Sequence, residues 1–309
     1  MMNKVTKNIS LFVCFLFSAC LGMSQSAFDF AKAETDMLKL FETLSKGENQ
    51  HIRYNANEQF LDLLKTTLAE NGAFDYPFAH LPCEKLMSKD KRFRMFNWIV
   101  PKEEGMEFFA VMIIHNAQKK TYQIIQLTDD SDAIFDLPNA TLDKDHWYGA
   151  YYTEIIQTKT DSRTYYTLLG WNGNDKTTNR KVIEVLTFKA NGEPVFGANI
   201  FTWKKEKSKR RIFEYSRKGS MILRYDYQSY GEPVGTPKPG QKQKEKLIKS
   251  YMIVFDRLIP PNPELVNNPE AYIAAGGVYD ALVWINGRWV LKVDVLAQNP
   301  DPPKRRRRR

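Results

Sequence analysis

Apolar residues recur at helical spacing between residues 28 and 70. Two leucine-rich runs lie in this stretch, and the first ends near Gly47. The second has a start signal at Asn55, because a glutamate follows three residues later as in a capping box. It stops at Asn71-Gly72, a sequence that commonly terminates helices. The pattern predicts a helical hairpin within residues 25–72.

From Phe74 onward the spacing of apolar residues changes from helical to alternating. About a dozen short runs rich in aromatic and β-branched residues are separated by residues that favour turns. Asn-Gly pairs, which favour tight hairpin turns, occur at Asn172-Gly173, Asn191-Gly192 and Asn286-Gly287. Few helical patterns remain that could cross over a parallel sheet. Residues 73–300 are therefore predicted to form a mainly β domain, an antiparallel meander closed as a sandwich, a barrel or a small propeller.

The sequence of this region also predicts one specific hairpin and one exposed loop. Arg210 to Tyr215 and Met221 to Tyr227 are predicted to pair with each other as a hairpin. The stretch from Gly231 to Lys246 is rich in proline, glycine and lysine, and predicts an exposed flexible loop.

The first 24 residues have the order of an export signal. Lys4 and Lys7 precede a short apolar run, and small residues lie just before a cleavage position ahead of Gln25. The apolar run is too short for a permanent membrane span, so no integral membrane segment is expected. A second interpretation is a lipoprotein box at Phe17-Ser18-Ala19-Cys20, in which Cys20 is lipidated. Either route predicts the periplasm, the outer-membrane surface or the extracellular space.

Charge and cysteine content narrow the class of protein further. The net charge is +9, but Lys4, Lys7 and the six basic residues 304–309 leave only +1 for the body between them. Nucleic-acid-binding domains carry their positive charge on the folded surface, whereas residues 301–309 are predicted to be a basic, disordered tail. A basic stretch from Lys204 to Lys218 is interpreted as a solvated face.

After signal removal Cys83 is the only cysteine, so no internal disulfide is expected.

Five sequence blocks form a pattern that resembles a group of exported proteins. They are RFRMFNW (92–98), WYGAYY (147–152), YYTLLGWNGND (165–175), KVIEVLTF (181–188) and IVFDRL (253–258). The pattern is similar to exported proteins of unassigned function from Bacteroidetes-type bacteria, over about residues 75–295. The resemblance implies an exported location in a Gram-negative cell. It implies no activity, and no catalytic residue is transferred from it.

The sequence gives little support for a metal-binding site or for a catalytic nucleophile. The four histidines have no partner at two, three or four residues, so no structural zinc and no cofactor are expected. Two loops carry oxygen ligands of the kind that calcium takes, but neither matches the ordered loop of an EF-hand, and both are interpreted as solvated turns: Asp129, Asp130 and Asp132 in one, and Asn172, Asn174 and Asp175 in the other. Cys83 has apolar neighbours and is predicted to be a buried small side chain.

Two acids on apolar strands are weak catalytic candidates. Glu184 and Asp256 each follow apolar residues, and burial would raise the pKa of such a carboxyl unless a cation meets it. Two such acids facing each other across a cleft could hydrolyse a glycoside. The competing interpretation is that each acid pairs with an arginine such as Arg180, Arg224 or Arg257, or lies at a strand edge.

Aromatic residues are dense between residues 147 and 171, and five are candidates for ligand binding: Trp147, Tyr148, Tyr152, Tyr166 and Trp171. If they point outward on adjacent strands, they form a stacking surface for sugars or a partner. The competing interpretation is that a second layer covers them.

The sequence thus predicts an exported binding or structural module of the cell envelope. Its expected partner is an envelope protein, a glycan or an anionic polymer, and its oligomeric state is open. The alternative is a secreted hydrolase that acts on glycans or esters through carboxylates on strands.

Overall fold

A computed structural model describes residues 28–116, 121–203, 206, 208–237 and 240–297 of the chain. The predicted signal peptide, Cys20 and the basic tail lie outside the described residues. No described helix combines the length and the apolar character needed to cross a bilayer.

The N-terminal helical hairpin is confirmed, with one boundary corrected. Helix α1 spans Phe30–Lys46 and helix α2 spans Gln50–Leu68. The start predicted at Asn55 is wrong, because the side chain of Asn49 caps α2 by accepting the backbone N–H of Ile52 at 3.0 Å. Helix α2 therefore begins one and a half turns earlier than the capping-box signal indicated.

The described residues form three β-sheets. Sheet 1 contains β1 (Glu84–Met87), β2 (Phe93–Pro101), β3 (Met106–Asn116) and β4 (Thr121–Leu127) in the order β1-β2-β3-β4. Sheet 2 contains β5 (Tyr151–Lys159), β6 (Thr164–Asn172), β7 (Thr178–Phe188), β8 (Pro194–Phe196) and β10 (Arg211–Ser216); its order is β10-β7-β6-β5, with β8 also paired to β7. Sheet 3 contains β9 (Phe201–Thr202), β11 (Leu223–Pro233), β12 (Glu245–Ile259), β13 (Ile273–Ile285) and β14 (Arg288–Lys292) in the order β11-β12-β13-β14-β9.

The three sheets stack face to face, and the helical hairpin covers the outer face of sheet 1. Phe60 and Leu64 of α2 pack with Trp98 on that face. Met95 and Met112 point to the other face and pack with Leu168 of sheet 2. All pairings between strands are antiparallel except the short contact of β14 with β9. The mainly β, antiparallel prediction is thus confirmed, and the stacked sheets correspond to the sandwich among the closures that the sequence left open.

Sheet 2 is the middle layer and is covered on both faces. Along β7, Val182 and Leu186 pack toward sheet 1, whereas Ile183 and Val185 pack toward Ile253 and its neighbours in sheet 3. All four of these β7 side chains are fully buried. Burial of each large apolar side chain contributes about 1.5–3 kcal/mol, so the stack is held mainly by these two interfaces.

The predicted pairing of Arg210–Tyr215 with Met221–Tyr227 is wrong. Strand β10 extends sheet 2 beside β7, where Phe213 lies opposite Lys181. Strand β11 pairs with β12 over eleven residues. Because β10 gains a covering layer by joining the middle sheet, it does not pair with the strand that follows it in sequence.

The structure agrees better with the predicted turns than with the predicted pairing of β10. Asn286 and Gly287 both have positive φ angles, of 48° and 79°, as a two-residue hairpin turn between β13 and β14 requires. The expected loop at 231–246 is shorter than predicted, since β11 continues to Pro233 and β12 begins at Glu245.

One buried hydrogen bond tests how α2 is attached to sheet 1. The indole Nε1 of Trp98 donates to the Oδ1 of Asn57 at 2.7 Å, and both side chains are buried. We expect Asn57→Ala to lower the free energy of unfolding in urea by about 1–3 kcal/mol, because the indole N–H is left without an acceptor. The control is Asn55→Ala, at an exposed position of the same helix, which should change it by less than about 0.5 kcal/mol. Equal losses in the two variants would contradict this role of Asn57.

Candidate functional site

Glu184 is fully buried and forms an ion pair. Its carboxylate accepts a hydrogen bond from the Nε of Arg210 at 2.7 Å, and the Arg210 side chain is also fully buried. The Nη1 of Arg210 further donates to the carbonyls of Leu137 and Ala140. Burial raises the pKa of Glu184, and the charge of Arg210 opposes this rise. The carboxylate is therefore held by a structural partner, although not by any of the three arginines that the sequence suggested.

Asp256 lies in a different layer from Glu184. It follows Val254 on the face of sheet 3 that points away from sheet 2, and its carboxylate accepts the backbone N–H of Ile222 at 2.6 Å. Glu184 points from sheet 2 toward sheet 1, on the side of Val182. Because whole sheets separate the two acids, they do not share a cleft, and the two-carboxylate geometry of a glycosidase does not arise from this pair.

The aromatic residues between 147 and 171 do not form an outward stacking surface, which corrects that interpretation. Trp147, Tyr148, Tyr152 and Tyr166 are at most 1% exposed and lie between sheets 1 and 2, while Trp171 is partly buried beside them. The reason is the position of sheet 2, whose two faces are both covered. Tyr148 and Tyr166 nevertheless each line a cleft at an edge of this interface.

The two acidic loops considered for calcium meet in space. The carboxylate of Asp129 accepts backbone N–H groups of Phe108, Ser131 and Gly149 at 3.1–3.2 Å. A β-carbon on Gly149 would lie 2.2 Å from an Asp129 oxygen, so only glycine fits there. Asp175 likewise accepts backbone N–H groups within its own turn. No group of three or more His, Cys, Asp or Glu residues in the described part of the chain is arranged to hold a metal ion.

Exposed aromatic side chains lie elsewhere, on the long β11–β12 hairpin. Tyr227 and Tyr251 are opposite each other in the register and are 53% and 58% exposed. The ring of Tyr251 lies 5.4 Å from that of Tyr225, with an angle of 26° between their planes, and 5.1 Å from that of Tyr227. We name these three residues the tyrosine surface.

The tyrosine surface lies where a sheet face that is buried near Ile253 becomes open to solvent. On the same face, Ile253 and Leu282 pack against sheet 2, and Tyr225 contacts the buried ring of Trp289. Tyr251 lies two residues before Ile253 on the same strand, and at Tyr251 this face is open to solvent. Since side chains on one face of a strand recur every second residue, the aromatic surface is continuous with the core between sheets 2 and 3.

Polar groups border the tyrosine surface. Ser229 and the exposed Lys249 form the next pair along the same face. The carboxylate of Glu154, on β5, accepts the backbone N–H of Tyr225 at 3.3 Å, and burial raises its pKa. Aromatic faces, a hydroxyl, an ammonium and a carboxylate are thus available side by side. The sequence signal was the alternation Tyr225-x-Tyr227, which sequence reasoning missed because it assigned this strand to the wrong partner.

No family model, no curated protein and no solved structure matches the chain. Its function is therefore inferred from its own residues.

Variants of Glu184 and Arg210 test whether each of these two buried charges is stabilised by the other. We expect Arg210→Met to lower the free energy of unfolding by about 3–5 kcal/mol, because it leaves the Glu184 carboxylate buried without its cation. Adding Glu184→Leu to the same chain should recover part of the loss, since no unpaired charge then remains. Chemical denaturation of the single and double variants measures both effects. A double variant less stable than Arg210→Met would contradict the ion-pair explanation.

Proposed function

We propose that the protein is an exported module of the cell envelope that binds glycans through the tyrosine surface. The observation that carries the proposal is a row of three neighbouring tyrosine rings, two of them more than half exposed, on an uncovered sheet face. Contiguous exposed aromatic area on a soluble domain is usually a binding site. Tyrosine combines a flat apolar ring with a polar hydroxyl, which suits the alternating C–H and O–H groups of a sugar.

The groups beside the tyrosines favour a glycan over other partners. Lys249 and Ser229 can donate hydrogen bonds to sugar oxygens, and Glu154 can accept from sugar hydroxyls. A nucleic acid is less favoured, because the carboxylate of Glu154 would repel phosphate groups and the body carries a net charge of only +1. A purely apolar partner would leave these polar groups without hydrogen bonds.

Export is supported by the N-terminal signal pattern and by the resemblance to exported proteins. The hydrolase alternative has less support, because Glu184 is paired with Arg210 and Asp256 lies in another layer. A catalytic role would need a different pair of acids in a common cleft.

The glycan proposal is tested by affinity electrophoresis in gels that contain mannan, xylan, laminarin or dextran. We expect at least one polysaccharide to retard the protein. Combining Tyr227→Ala with Tyr251→Ala should weaken that retardation about tenfold, since each aromatic stack contributes about 0.5–1.5 kcal/mol. The matched control is Tyr122→Ala on β4, where the tyrosine is 47% exposed on a different sheet. No retardation by any of the four polysaccharides, or equal retardation of the double variant and the unmodified protein, would refute the proposal.

Export is tested separately by mass spectrometry of the protein purified from its native cell. We expect a mature N-terminus at Gln25, because the small residues Gly22 and Ser24 occupy the positions that signal cleavage requires. A diacylated or triacylated Cys20 would establish the lipoprotein route instead. An intact Met1 would show that the protein is not processed and would remove the support for export.

A further inference from the structure

A cleft with a volume of about 400 Å³ opens at one end of the interface between sheets 1 and 2. We name it the seam cleft. Its volume lies in the range typical of small-molecule sites. One wall comes from sheet 1 and the loop after β4, and includes Glu107, Asp130 and Asp132. The facing wall comes from the segment that precedes β5, which includes Tyr148, and from β7 of sheet 2, which includes Arg180. The seam cleft involves no residue of the tyrosine surface and stands apart from the proposed function.

The wall from sheet 1 carries more negative than positive charge, because it holds four carboxylates and one ammonium, that of Lys102, which lies 4.0 Å from an oxygen of Glu107. Asp129 is occupied by backbone N–H groups, and Glu107 accepts a hydrogen bond from the hydroxyl of Tyr54. Asp130 and Asp132 are different, because neither belongs to any ion pair between described residues. Their carboxylates are both at least partly exposed in the cleft. Two neighbouring carboxylates without a cation attract a positively charged group.

The facing wall offers hydrogen-bond donors. Tyr148 is only 1% exposed, and its hydroxyl has no partner in hydrogen-bonding geometry among the described residues. Burial raises the pKa of this hydroxyl, and the guanidinium of Arg180 opposes the rise through its charge and as a nearby donor that lies outside good hydrogen-bonding geometry. Arg180 uses its Nε to bind Glu214 at 2.9 Å. A buried hydroxyl without a partner costs about 1–3 kcal/mol, and native proteins usually satisfy such a group with water or a ligand.

The charged groups of the two walls restrict the kind of ligand, because Asp130 and Asp132 form no ion pair between described residues and face Arg180, a cation that also binds Glu214. A bare anion would be repelled by Asp130 and Asp132, and a bare metal cation would face the guanidinium of Arg180. The described residues also lack a cluster of three ligands that could hold a metal ion. A molecule that carries both signs of charge satisfies both walls at once.

We propose that the seam cleft binds a small zwitterion of the amino-acid type. Its ammonium group contacts the carboxylates of Asp130 and Asp132. Its carboxylate accepts hydrogen bonds from the guanidinium of Arg180 and from the hydroxyl of Tyr148, which thereby gains its missing partner.

The ligand class is tested by isothermal titration calorimetry with glycine, L-alanine, L-glutamate and L-lysine. We expect saturable binding of at least one of them to the whole protein. The N-acetyl form of that amino acid lacks the ammonium group and its amide lacks the carboxylate, so each should bind at least tenfold more weakly. No heat of binding for any of the four up to about 10 mM would overturn the proposal, and so would equal affinity for the N-acetyl or amide form.

The site is tested with two variants and a matched control. Asp132→Asn removes one charge at an exposed position, and Tyr148→Phe removes only a hydroxyl that has no partner. Each should weaken binding of the amino acid at least tenfold with an unchanged melting temperature. Asp161→Asn, at an exposed aspartate in the turn between β5 and β6, should bind like the unmodified protein.

Asp132→Asn keeps the test valid if Tyr148→Phe fails to fold. Unchanged affinity in Asp132→Asn would place the ligand elsewhere and overturn the assignment. Retardation in polysaccharide gels should be the same for Asp132→Asn and the unmodified protein, so the outcome at the seam cleft is independent of the outcome at the tyrosine surface.

Discussion

The fold depends on one constraint, which is that sheet 2 is covered on both faces, so a polar group buried there costs free energy unless it finds a hydrogen-bond partner. Several of the polar side chains directed into these interfaces have a specific partner. Arg210 meets Glu184, and the indole of Trp289 donates to Thr167 at 2.9 Å. Asn97 of sheet 1 accepts the backbone N–H of Tyr152 at 2.9 Å and donates to its carbonyl, which joins the two sheets. Because unpaired polar groups in such a layer are costly, these contacts fix how the sheets are placed on each other.

The same constraint explains where binding can occur. A covered sheet has no free face, so contact surfaces arise only at its ends or where a neighbouring sheet extends past it. The tyrosine surface is such an extension of sheet 3, and the seam cleft is such an end of sheets 1 and 2. Both use side chains that continue a buried layer outward, which keeps their rings and charges in defined positions. The cleft also depends on Asp129, whose hydrogen bonds hold its acidic loop against β3 and Gly149.

Much of the local structure could be predicted from residue patterns, and the failures have a common cause. The helical hairpin, the alternating strands and the turn at Asn286-Gly287 were all predictable, because each depends on neighbours in sequence. The start of α2 was missed by half a dozen residues, because Asn49 and Asn55 both have side chains able to cap a helix. The partner of β10 was missed because pairing depends on which layer covers the strand.

Residue patterns alone establish that the chain is mainly β, that a helical hairpin precedes the strands, and which residues alternate on each strand. Alternation separates two faces of a strand but does not say what covers either of them. The packing of the sheets on each other leaves Tyr152 and Tyr166 buried and Tyr227 and Tyr251 exposed. It also places Glu184 against Arg210, and two acidic loops far apart in sequence along one cleft. The physical reason is that burial and charge pairing are set by contacts between sheets, which no local pattern encodes.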